Sequence, residues 1–406
     1  MALKDCTKRI SSCGKSSDWR SASEILSGMR NLDLEPNIFT YSAVTSAHQK
    51  AAEWQGATRL LDSKQNIFGF SGAISSCEKA GEWLMAIEIF RTLWSSSLEG
   101  NVVAANGALS SLEKQGLWQR ALSLFDSMPL ASLQRDVVSV NALLSALEKA
   151  SEWQRALDAF HEAEKSVVSF GAVISACEKA GQWQKALSLL DSMPRMAIRA
   201  NVFTFSSAIS ACEKGCQLEE ALKVFKKMVE SEVRPNVITL GALISSCEKQ
   251  GQWQQALSFF YEMPSRRLEA NEICFNAALS SCEKSSQWQA ALQLFESRPT
   301  LRDIISYNAL ISCCEKAAKW QHALSIFSTM PRKDIVSYSA LISSCEKGQE
   351  WPTALILLKE MCKAQLLGKF SFNSAITACE GRWSLAVYLL QAMSTYGVQP
   401  SAAWAI

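Results

Sequence analysis

The stretch "SSCEKQGQWQQALSFF", Ser245–Phe260, decides the fold, because the chain restates it along its length. It reads "SACEKAGQWQKALSLL" at Ser175–Leu190 and "SALEKASEWQRALDAF" at Ser145–Phe160. One copy predicts the end of an amphipathic helix, a turn and the start of another helix. Many copies at a regular spacing predict a solenoid, in which each unit contacts mainly its neighbours.

Aligned on this motif, the sequence divides into twelve units and leaves no room for a second domain. Six units are 35 residues long, and the others run from 29 to 34 residues. We therefore expect one solenoid domain over residues 1–406, with repeats 3–37, 38–66, 67–101, 102–136, 137–166, 167–201, 202–236, 237–271, 272–303, 304–334, 335–368 and 369–401.

Each unit carries two apolar stripes at helical spacing. In unit 202–236 the first stripe is formed by Phe205, Ala208, Ile209 and Cys212. A second stripe follows a turn, and several second helices are expected to end at a Met-Pro pair, because proline cannot continue a helix: Met128-Pro129, Met193-Pro194, Met263-Pro264 and Met330-Pro331. The pattern predicts an all-α fold of about twelve antiparallel helix-turn-helix repeats without strands, with helices of about 15 residues.

Two residue types recur at fixed places in the units, and both are expected to serve the core. Tryptophan stands at the seventeenth place of ten units and at the fifteenth place of the last one, as Trp383, and its ring is expected to fill the seam between neighbouring helix pairs. Cysteine stands at the eleventh place of nine units and leucine at that place in two others, which predicts buried free thiols rather than disulfides. The nine are Cys13, Cys77, Cys177, Cys212, Cys247, Cys282, Cys314, Cys345 and Cys379.

The bulk composition limits the partners and the compartment. The net charge is +2 and 48% of the residues are hydrophobic, which supports a packed core without demanding a polyanionic partner. Fourteen cysteines without disulfide spacing favour a reducing compartment. No apolar run reaches the roughly 18 residues of a membrane span, and the opening residues resemble neither a secretory signal nor a presequence. We expect no membrane partner and no targeting segment in this sequence.

The sequence contains no catalytic motif. The three histidines lie at unrelated places in their units, and HExxH, paired CxxC, GxxxxGK[ST] and GxSxG are absent. Cys212 and Cys216 form an isolated CxxxC without histidine support, and the vicinal Cys313 and Cys314 include a member of the core series. We expect no enzyme, no cofactor and no metal site.

The first helix of each unit carries three further series outside its core stripe. The second place is apolar in eleven units: Phe39, Phe68, Val103, Val138, Val168, Phe203, Ile238, Ile273, Ile305, Val336 and Phe370. The fifth place is small or carries a hydroxyl or amide group: Thr7, Ser42, Ser71, Asn106, Asn141, Gly171, Ser206, Gly241, Asn276, Asn308, Ser339 and Asn373. The thirteenth place is lysine in eleven units: Lys15, Lys50, Lys79, Lys114, Lys149, Lys179, Lys214, Lys249, Lys284, Lys316 and Lys347.

These three series match what a single nucleic-acid strand offers. Apolar side chains can wedge between bases, amide and hydroxyl groups can meet base edges, and ammonium groups can meet phosphates. Glutamate precedes the lysine in nine units, so these carboxylates must point away from the lysines or pair with them. The surface therefore predicts a single-strand binder with the lysines as phosphate contacts.

The repeat length and the unit "VFTFSSAISACEKGCQLEEALKVFKKMVESEVRPN", Val202–Asn236, resemble the pentatricopeptide repeat (PPR) family over essentially the whole chain. Shorter units ending "RD" or "KD" resemble the short class of mixed-length members, which often serve RNA editing. The resemblance implies a right-handed superhelical α-solenoid that binds single-stranded RNA, one base per repeat. It further implies a role in organellar RNA processing, stability, editing support or translation, in a chloroplast or mitochondrion and beside other RNA-processing proteins.

In that family, the fifth and last residues of each repeat select the base. By resemblance, the adenine readers are Thr7 with Asn37, Ser42 with Asn66, Ser71 with Asn101 and Ser206 with Asn236. The uracil readers are Asn106 with Asp136, Asn276 with Asp303 and Asn308 with Asp334, and the cytosine readers are Asn141 with Ser166 and Asn373 with Ser401. Three pairs stay unassigned: Gly171 with Asn201, Gly241 with Asn271 and Ser339 with Gly368. The expected target is 5′-AAAUCnAnUUnC-3′, with the amino end of the protein at the 5′ end.

A protein- or peptide-binding scaffold is the alternative function, since related helical solenoids hold peptides in the same kind of groove. The start at Leu3 and the ending "PSAAWAI" leave apolar faces without a capping helix. Either the chain is a fragment or its ends associate with another copy.

Overall fold

The structure is a computed structural model, and it describes residues 2–16, 18–31, 36–61, 67–95, 101–128, 133–162, 164–366, 368–380 and 382–395. Within these ranges, every regular element is a helix, as expected. The helices follow one another as α1 (Ala2–Ser16), α2 (Trp19–Asn31), α3 (Ile38–Ala51), α4 (Trp54–Leu61), α5 (Ile67–Ala80), α6 (Trp83–Ser95), α7 (Val102–Lys114), α8 (Trp118–Ser127), α9 (Val137–Lys149), α10 (Trp153–Glu162), α11 (Val167–Lys179), α12 (Trp183–Ser192), α13 (Val202–Lys214), α14 (Leu218–Glu230), α15 (Val237–Gln250), α16 (Trp253–Ser265), α17 (Glu272–Lys284), α18 (Trp288–Ser297), α19 (Ile304–Lys316), α20 (Trp320–Thr329), α21 (Ile335–Lys347), α22 (Trp351–Lys363), α23 (Lys369–Ala378) and α24 (Trp383–Thr395). Short 3₁₀ turns follow α12 at Pro194–Met196 and α18 at Pro299–Leu301.

The chain divides into two compact parts, residues 1–211 and 212–406. In the first part, the odd-numbered helices from α1 to α11 contact one another in sequence, so they form a continuous row. In the second part, α15, α17, α19, α21 and α23 form a row in the same way. Each even-numbered helix between two members of a row contacts both of them, so hairpins stack with the first helices side by side. This arrangement confirms the predicted antiparallel helix pairs.

The core of each row is built from the predicted apolar stripes. Phe205, Ala208, Ile209 and Cys212 are at most 4% exposed. Eight of the nine eleventh-place cysteines are buried, whereas Cys13 is half-buried, and all the described cysteines are free. Burial raises the pKa of the eight buried thiols of this series, to about 11 for Cys247 and about 12 for Cys212, so they behave as small apolar groups.

Tryptophan is less enclosed than the sequence predicts. Its ring begins the second helix and is half-buried in every described case from Trp19 to Trp351. The guanidinium of Arg120, from the next repeat, lies 4.3 Å from the centroid of the Trp83 ring, and Arg155 lies 4.3 Å from that of Trp118. These rings therefore meet a charged side chain of the next repeat and stay partly in water.

Two expectations about helix ends need correction. Second helices have eight to thirteen residues rather than about 15. Helix α16 continues through Pro264 to Ser265, because the N–H of Arg266 still reaches the carbonyls of Glu262 and Met263. None of the described helices is both long and apolar enough to span a bilayer.

Candidate functional site

The second residue of each first helix points into solvent in all eleven units where it is apolar. The exposed fraction of these side chains runs from 51% for Phe203 to 76% for Phe39. Apolar side chains at equivalent places in consecutive units rarely stay this exposed unless they meet a partner. The wedge residues Phe39, Phe68, Val103, Val138, Val168, Phe203, Ile238, Ile273, Ile305, Val336 and Phe370 are therefore placed where a ligand can reach them.

Three of the predicted reader pairs are joined by hydrogen bonds. The Asn106 amide nitrogen donates to both carboxylate oxygens of Asp136, at 3.1 and 3.0 Å. Asn276 donates to Oδ2 of Asp303 at 3.0 Å, and Asn308 donates to Asp334 at 3.3 and 3.4 Å. The fifth residue of one repeat and its last residue therefore meet at the same edge of the row of first helices.

These pairs leave an acceptor unused. The amide oxygens of five fifth-place asparagines are buried and have no hydrogen-bond partner in the described residues: Asn106, Asn141, Asn276, Asn308 and Asn373. Because a carboxylate only accepts, the amide nitrogen must face the aspartate and the oxygen must face away. A buried acceptor without a donor costs about 1–3 kcal/mol, so a ligand that brings an N–H to it gains that amount of stabilisation.

The last residue of a repeat has a second role that sequence reasoning missed. It caps the first helix of the following repeat, because its side chain accepts the N–H of the third residue of that helix. The described cases with this cap are Asn37, Asp136, Ser166, Asn201, Asn236, Asn271, Asp303 and Asp334. A serine or threonine hydroxyl at the third place usually completes a capping box, and these hydroxyls are fully buried. The spacing Asp303-x-x-Ser306 is the sequence signal that would have revealed it.

The three unassigned pairs differ from the others in their contacts. A Cβ on Gly171 would lie 2.9 Å from Cδ1 of Phe203, and one on Gly241 would lie 3.1 Å from the sulfur of Cys274. Side chains of the next repeat therefore fill the space of a fifth-place side chain. Ser339 contacts the hydroxyl of Ser371 at 2.7 Å, since Gly368 has no side chain to meet.

The remaining reader residues lie at equivalent places in their repeats. Ser42 donates to the carbonyl of Ile38, and Asn101 accepts from the N–H of Val103. Asn141 and Ser166, both within the described ranges, do not bond each other. Thr7 and Ser71 are half-buried and Ser206 is buried. Asn66, Ser401 and the side chain of Lys15 lie outside the described residues.

The thirteenth-place lysines form an ordered series of ion pairs at the opposite end of the first helices. Seven of them pair with the twelfth-place glutamate of the preceding repeat, with Nζ–Oε1 distances between 2.6 and 3.2 Å. The pairs are Lys114–Glu78, Lys149–Glu113, Lys179–Glu148, Lys249–Glu213, Lys284–Glu248, Lys316–Glu283 and Lys347–Glu315. Lys50, Lys79 and Lys214 are exposed at the same place. We call this series the lysine–glutamate ladder.

In the ladder, the glutamate carboxylates point toward the lysines of the following repeat. Some of these carboxylates also accept a hydrogen bond from the ninth-place serine of the next repeat, as Glu315 does from the Ser343 hydroxyl at 2.8 Å. The lysine side chains of the ladder remain 34–45% exposed, so they keep contact with solvent while they pair. Their phosphate contacts stay a prediction, because each lysine would have to share its carboxylate with the ligand.

The described residues offer little for metal or acid–base chemistry. In the part of the chain that the structure describes, no three His, Cys, Asp or Glu side chains come together as a metal site requires. The vicinal Cys313 and Cys314 are buried, and desolvation raises the pKa of both thiols, to about 12 and about 11. Thiols held this far from ionisation are poor nucleophiles at neutral pH.

Comparisons with protein families give one consistent result. A profile described as PPR repeat family matches residues 165–214, and a profile described as pentatricopeptide repeat domain matches residues 223–285. A third, described as PPR repeat, matches residues 103–132, 138–166, 203–233, 305–335 and 336–366. Together these matches cover more than half of the sequence. A comparison with curated protein sequences gave no match.

Solved structures show a similar solenoid. The crystal structure of the pentatricopeptide repeat protein PPR10 from maize matches with a TM-score of 0.57 and 17% identity, over 98% of this chain and 69% of that chain. PPR10 in complex with an 18-nt psaJ RNA element matches with a TM-score of 0.42 and 17% identity, over 98% and 75%. Yeast Rmd9p in complex with a 16-nt target RNA gives 0.36 and 14%, over 98% and 88%. The likeness to the free maize protein shows a shared fold.

Proposed function

The chain belongs to the pentatricopeptide repeat family, and from that premise we propose that it binds single-stranded RNA, one base per repeat. Each base inserts between second-place side chains of consecutive repeats and meets the fifth and last residues with its edge. The observation that carries the proposal is the exposure of the second-place apolar side chain in each of eleven repeats, three residues before the fifth-place reader on the same helix.

The geometry of the joined pairs favours a particular base edge. Asn276 and Asp303 together present an unused amide oxygen and a carboxylate, and both are acceptors. The uracil edge offers an imino N–H donor, whereas the adenine ring offers the N1 acceptor at the corresponding position. The amide oxygen of Asn276 is buried, so a base reaches it only if the side chains that cover it move on binding.

Binding of a labelled twelve-nucleotide RNA, 5′-AAAUCNANUUNC-3′, tests the proposal by fluorescence anisotropy. We expect it to bind at least tenfold more tightly than a scrambled RNA of the same composition, because a mismatched edge loses roughly 1–3 kcal/mol. Equal affinity for the two RNAs would remove base reading from the proposal. Failure to bind any unstructured RNA at low salt would remove RNA binding and leave the protein-scaffold alternative.

The lysines allow a separate test of the phosphate contacts. The second and thirteenth places are separated by about 16 Å along a helix, at 1.5 Å per residue, so these lysines bind the strand only if its backbone runs toward that end. If they do, Lys284→Gln lowers the slope of log affinity against log salt by about 0.7. An unchanged slope would assign Lys284 to the ladder alone, and Lys359→Gln on a second helix serves as the control.

The cellular role of the bound RNA completes the proposal. We infer a function in RNA processing, stability, editing support or translation within a chloroplast or mitochondrion, from family resemblance and not from a feature of these residues. Sequencing of RNA crosslinked to the protein in cells, with organelle fractionation, tests it, and recovery of cytosolic transcripts alone would contradict it.

A further inference from the structure

The last residue of each repeat is held by the third residue of the next repeat, and we propose that this contact helps to set the base preference. The third residue would be a positioning residue, because it does not touch the base but orients the side chain that does. Its N–H holds that side chain, and the hydroxyls of Thr40 and Thr239 bond the side chain as well. This inference rests on the proposed function, and it adds a residue to the reading of each base that neither the fifth nor the last place includes.

The aspartate case shows the contact most fully. The N–H of Ser306 donates to Oδ1 of Asp303 at 2.7 Å, while the Ser306 hydroxyl accepts from the Asp303 N–H at 2.9 Å. The other carboxylate oxygen, Oδ2, receives Asn276 at 3.0 Å. The cap therefore fixes which oxygen is used by the helix and which faces the reader partner.

In the asparagine cases the same cap decides between a donor and an acceptor. The Thr40 N–H and the Thr40 hydroxyl both donate to Oδ1 of Asn37, at 2.9 and 2.7 Å. Asn201 likewise accepts the Thr204 N–H through Oδ1, at 3.0 Å. With the oxygen used by the cap, the amide nitrogen is the atom that the last residue can turn toward a base. A half-turn of the amide would present an acceptor instead, so the cap selects the donor.

One repeat without the hydroxyl shows a different orientation. Ala104 stands at the third place, and Asn101 accepts from Val103 at 2.9 Å instead of from the third residue. The N–H of Ala104 bonds the backbone carbonyl of Asn101 at 3.0 Å. The ψ angle of Asn101 is 124°, whereas that of the capped Asn37 is 174°. The hydroxyl is not required for the cap, since Asn271 still accepts the Cys274 N–H at 2.9 Å with a ψ angle of 171°. At Ala104, loss of the cap accompanies a rotation of Asn101.

In a second exception, the third-place residue contacts the fifth-place residue of the preceding repeat directly. Gly368 has no side chain that could accept the Ser371 N–H and cap the helix. The Ser371 hydroxyl lies 2.7 Å from the hydroxyl of Ser339 instead. Where the last residue is absent as a partner, the third-place hydroxyl reaches the fifth-place reader of the preceding repeat. The three places therefore form one hydrogen-bonded group across the repeat boundary.

The test uses Ser306→Ala and measures discrimination at the ninth RNA position, not affinity alone. We expect the preference for uracil over adenine there to fall from roughly tenfold to about threefold, while the tenth position keeps its preference. Ser306→Thr restores the hydroxyl and should restore the ratio. Ser281→Ala is the matched control, because Ser281 is also fully buried but its hydroxyl donates to the carbonyl of Ala278 on its own helix.

Ala104→Ser is expected to increase base discrimination, and a destabilised or unfolded variant could not produce that increase. It installs the missing hydroxyl, and discrimination at the third RNA position should rise about threefold, with the other positions unchanged.

The outcomes separate this inference from the proposed function. Wild-type protein that reads the ninth position, with both variants leaving their ratios unchanged, overturns the inference and keeps the function. A uniform loss of affinity for all RNAs by Ser306→Ala also overturns it, since a merely structural cap would act in that way. Wild-type protein that does not discriminate at the ninth position defeats the proposed function and the inference with it.

Discussion

The two ends of the first helices differ in how constant their contacts are from repeat to repeat. At the lysine–glutamate ladder, the same two residue types meet at nearly the same distance, as in Lys284–Glu248 at 2.9 Å and Lys347–Glu315 at 3.0 Å. At the reader end, the partners change from repeat to repeat, from the bonded Asn276–Asp303 to the filled space at Gly171. A constant contact holds neighbouring repeats in one geometry, and a variable contact can then differ without altering the fold.

The largest expected effect is a switch of base preference at the reader end. Asn276→Ser with Asp303→Asn replaces an acceptor pair by a hydroxyl and an amide whose oxygen is used by the cap. We expect the ninth-position preference to move from uracil to adenine, by roughly 100-fold in the ratio of the two affinities, because each single preference is about tenfold. Anisotropy with RNAs that differ only at that position measures it.

Asp303→Asn alone is the control for that switch and should give an intermediate ratio. Thermal unfolding of the double variant should stay close to that of the wild type, because Asn caps a helix as well as Asp does. A variant that still prefers uracil would show that the pair does not read the base.

A second prediction concerns the filled space at Gly171. An asparagine at position 171 would clash with Phe203, whose ring carbons Cδ1 and Cε1 lie 2.9 and 3.1 Å from the added Cβ. We expect Gly171→Asn to lower the free energy of unfolding by about 1 kcal/mol, at the low end for overpacking because the exposed ring can partly move away. Urea unfolding measures this loss.

The compensating change is available within the chain. Val138 and Val168 stand at the second place after Asn106 and Asn141, so Phe203→Val should make room for an asparagine at place 171. The double variant should recover most of the lost stability. Additive losses in this double-mutant cycle would show that the two side chains do not compete for space.

The fold was open to prediction because its signal is periodic and local. The spacing of Phe205, Ala208 and Cys212 predicts a buried helix face, and that face is buried. The exposure of Phe39 and its equivalents follows from the same period. The ladder was harder, since Lys316 and Glu283 are far apart in sequence and meet only once the repeats stack.

The site was predictable only in part, for different physical reasons. The capping spacing of Asp303 and Ser306 is local and was available, but the role predicted for the last residue in base reading concealed its role as a cap. The contact of Phe203 with the Gly171 space depends on side-chain packing between repeats, which no residue spacing encodes. Rotation of Asn101 likewise appears only in the backbone geometry.

A third prediction compares two glutamates at the same place of the ladder. Glu315 accepts from Lys347 and Ser343, whereas Glu346 is followed by Gly381 at the thirteenth place of the next repeat. Glu315→Gln should lower the free energy of unfolding by less than about 1 kcal/mol, as for a partly exposed ion pair. Glu346→Gln should leave it unchanged or raise it slightly at pH 7.

The pH dependence of stability separates these two glutamates further. Burial raises the pKa of the Glu346 carboxyl, so the folded state holds its proton more tightly than the unfolded state does. The charged form therefore opposes folding, and the stability that protonation adds appears as the pH falls through that raised pKa. The advantage of Glu346→Gln over the wild type should shrink between pH 7 and pH 5 in urea unfolding. A constant difference would show that this carboxyl does not titrate with folding.

The smallest expected effect comes from giving the uncapped helix its missing cap. Gly368→Asn places an amide oxygen near the N–H of Ser371, and the backbone angles of Gly368, φ −133° and ψ 128°, suit any residue. The added Cβ would lie 3.3 Å from the Ser371 hydroxyl and 3.4 Å from Met361 Cε, so its neighbours must yield by a few tenths of an ångström. We expect a gain of a few tenths of a kcal/mol in the free energy of unfolding, since glycine is already a tolerable cap.

Gly368→Ala is the matched control, because it adds the same Cβ without a capping group. If the asparagine variant is more stable than the alanine variant, the Ser371 hydroxyl has left Ser339 to complete a capping box, and the eleventh RNA position should then acquire a preference for adenine. If the two variants unfold at the same urea concentration and neither discriminates at that position, the cap does not form. The variable end of the helices would then depend on more than the identity of its last residue.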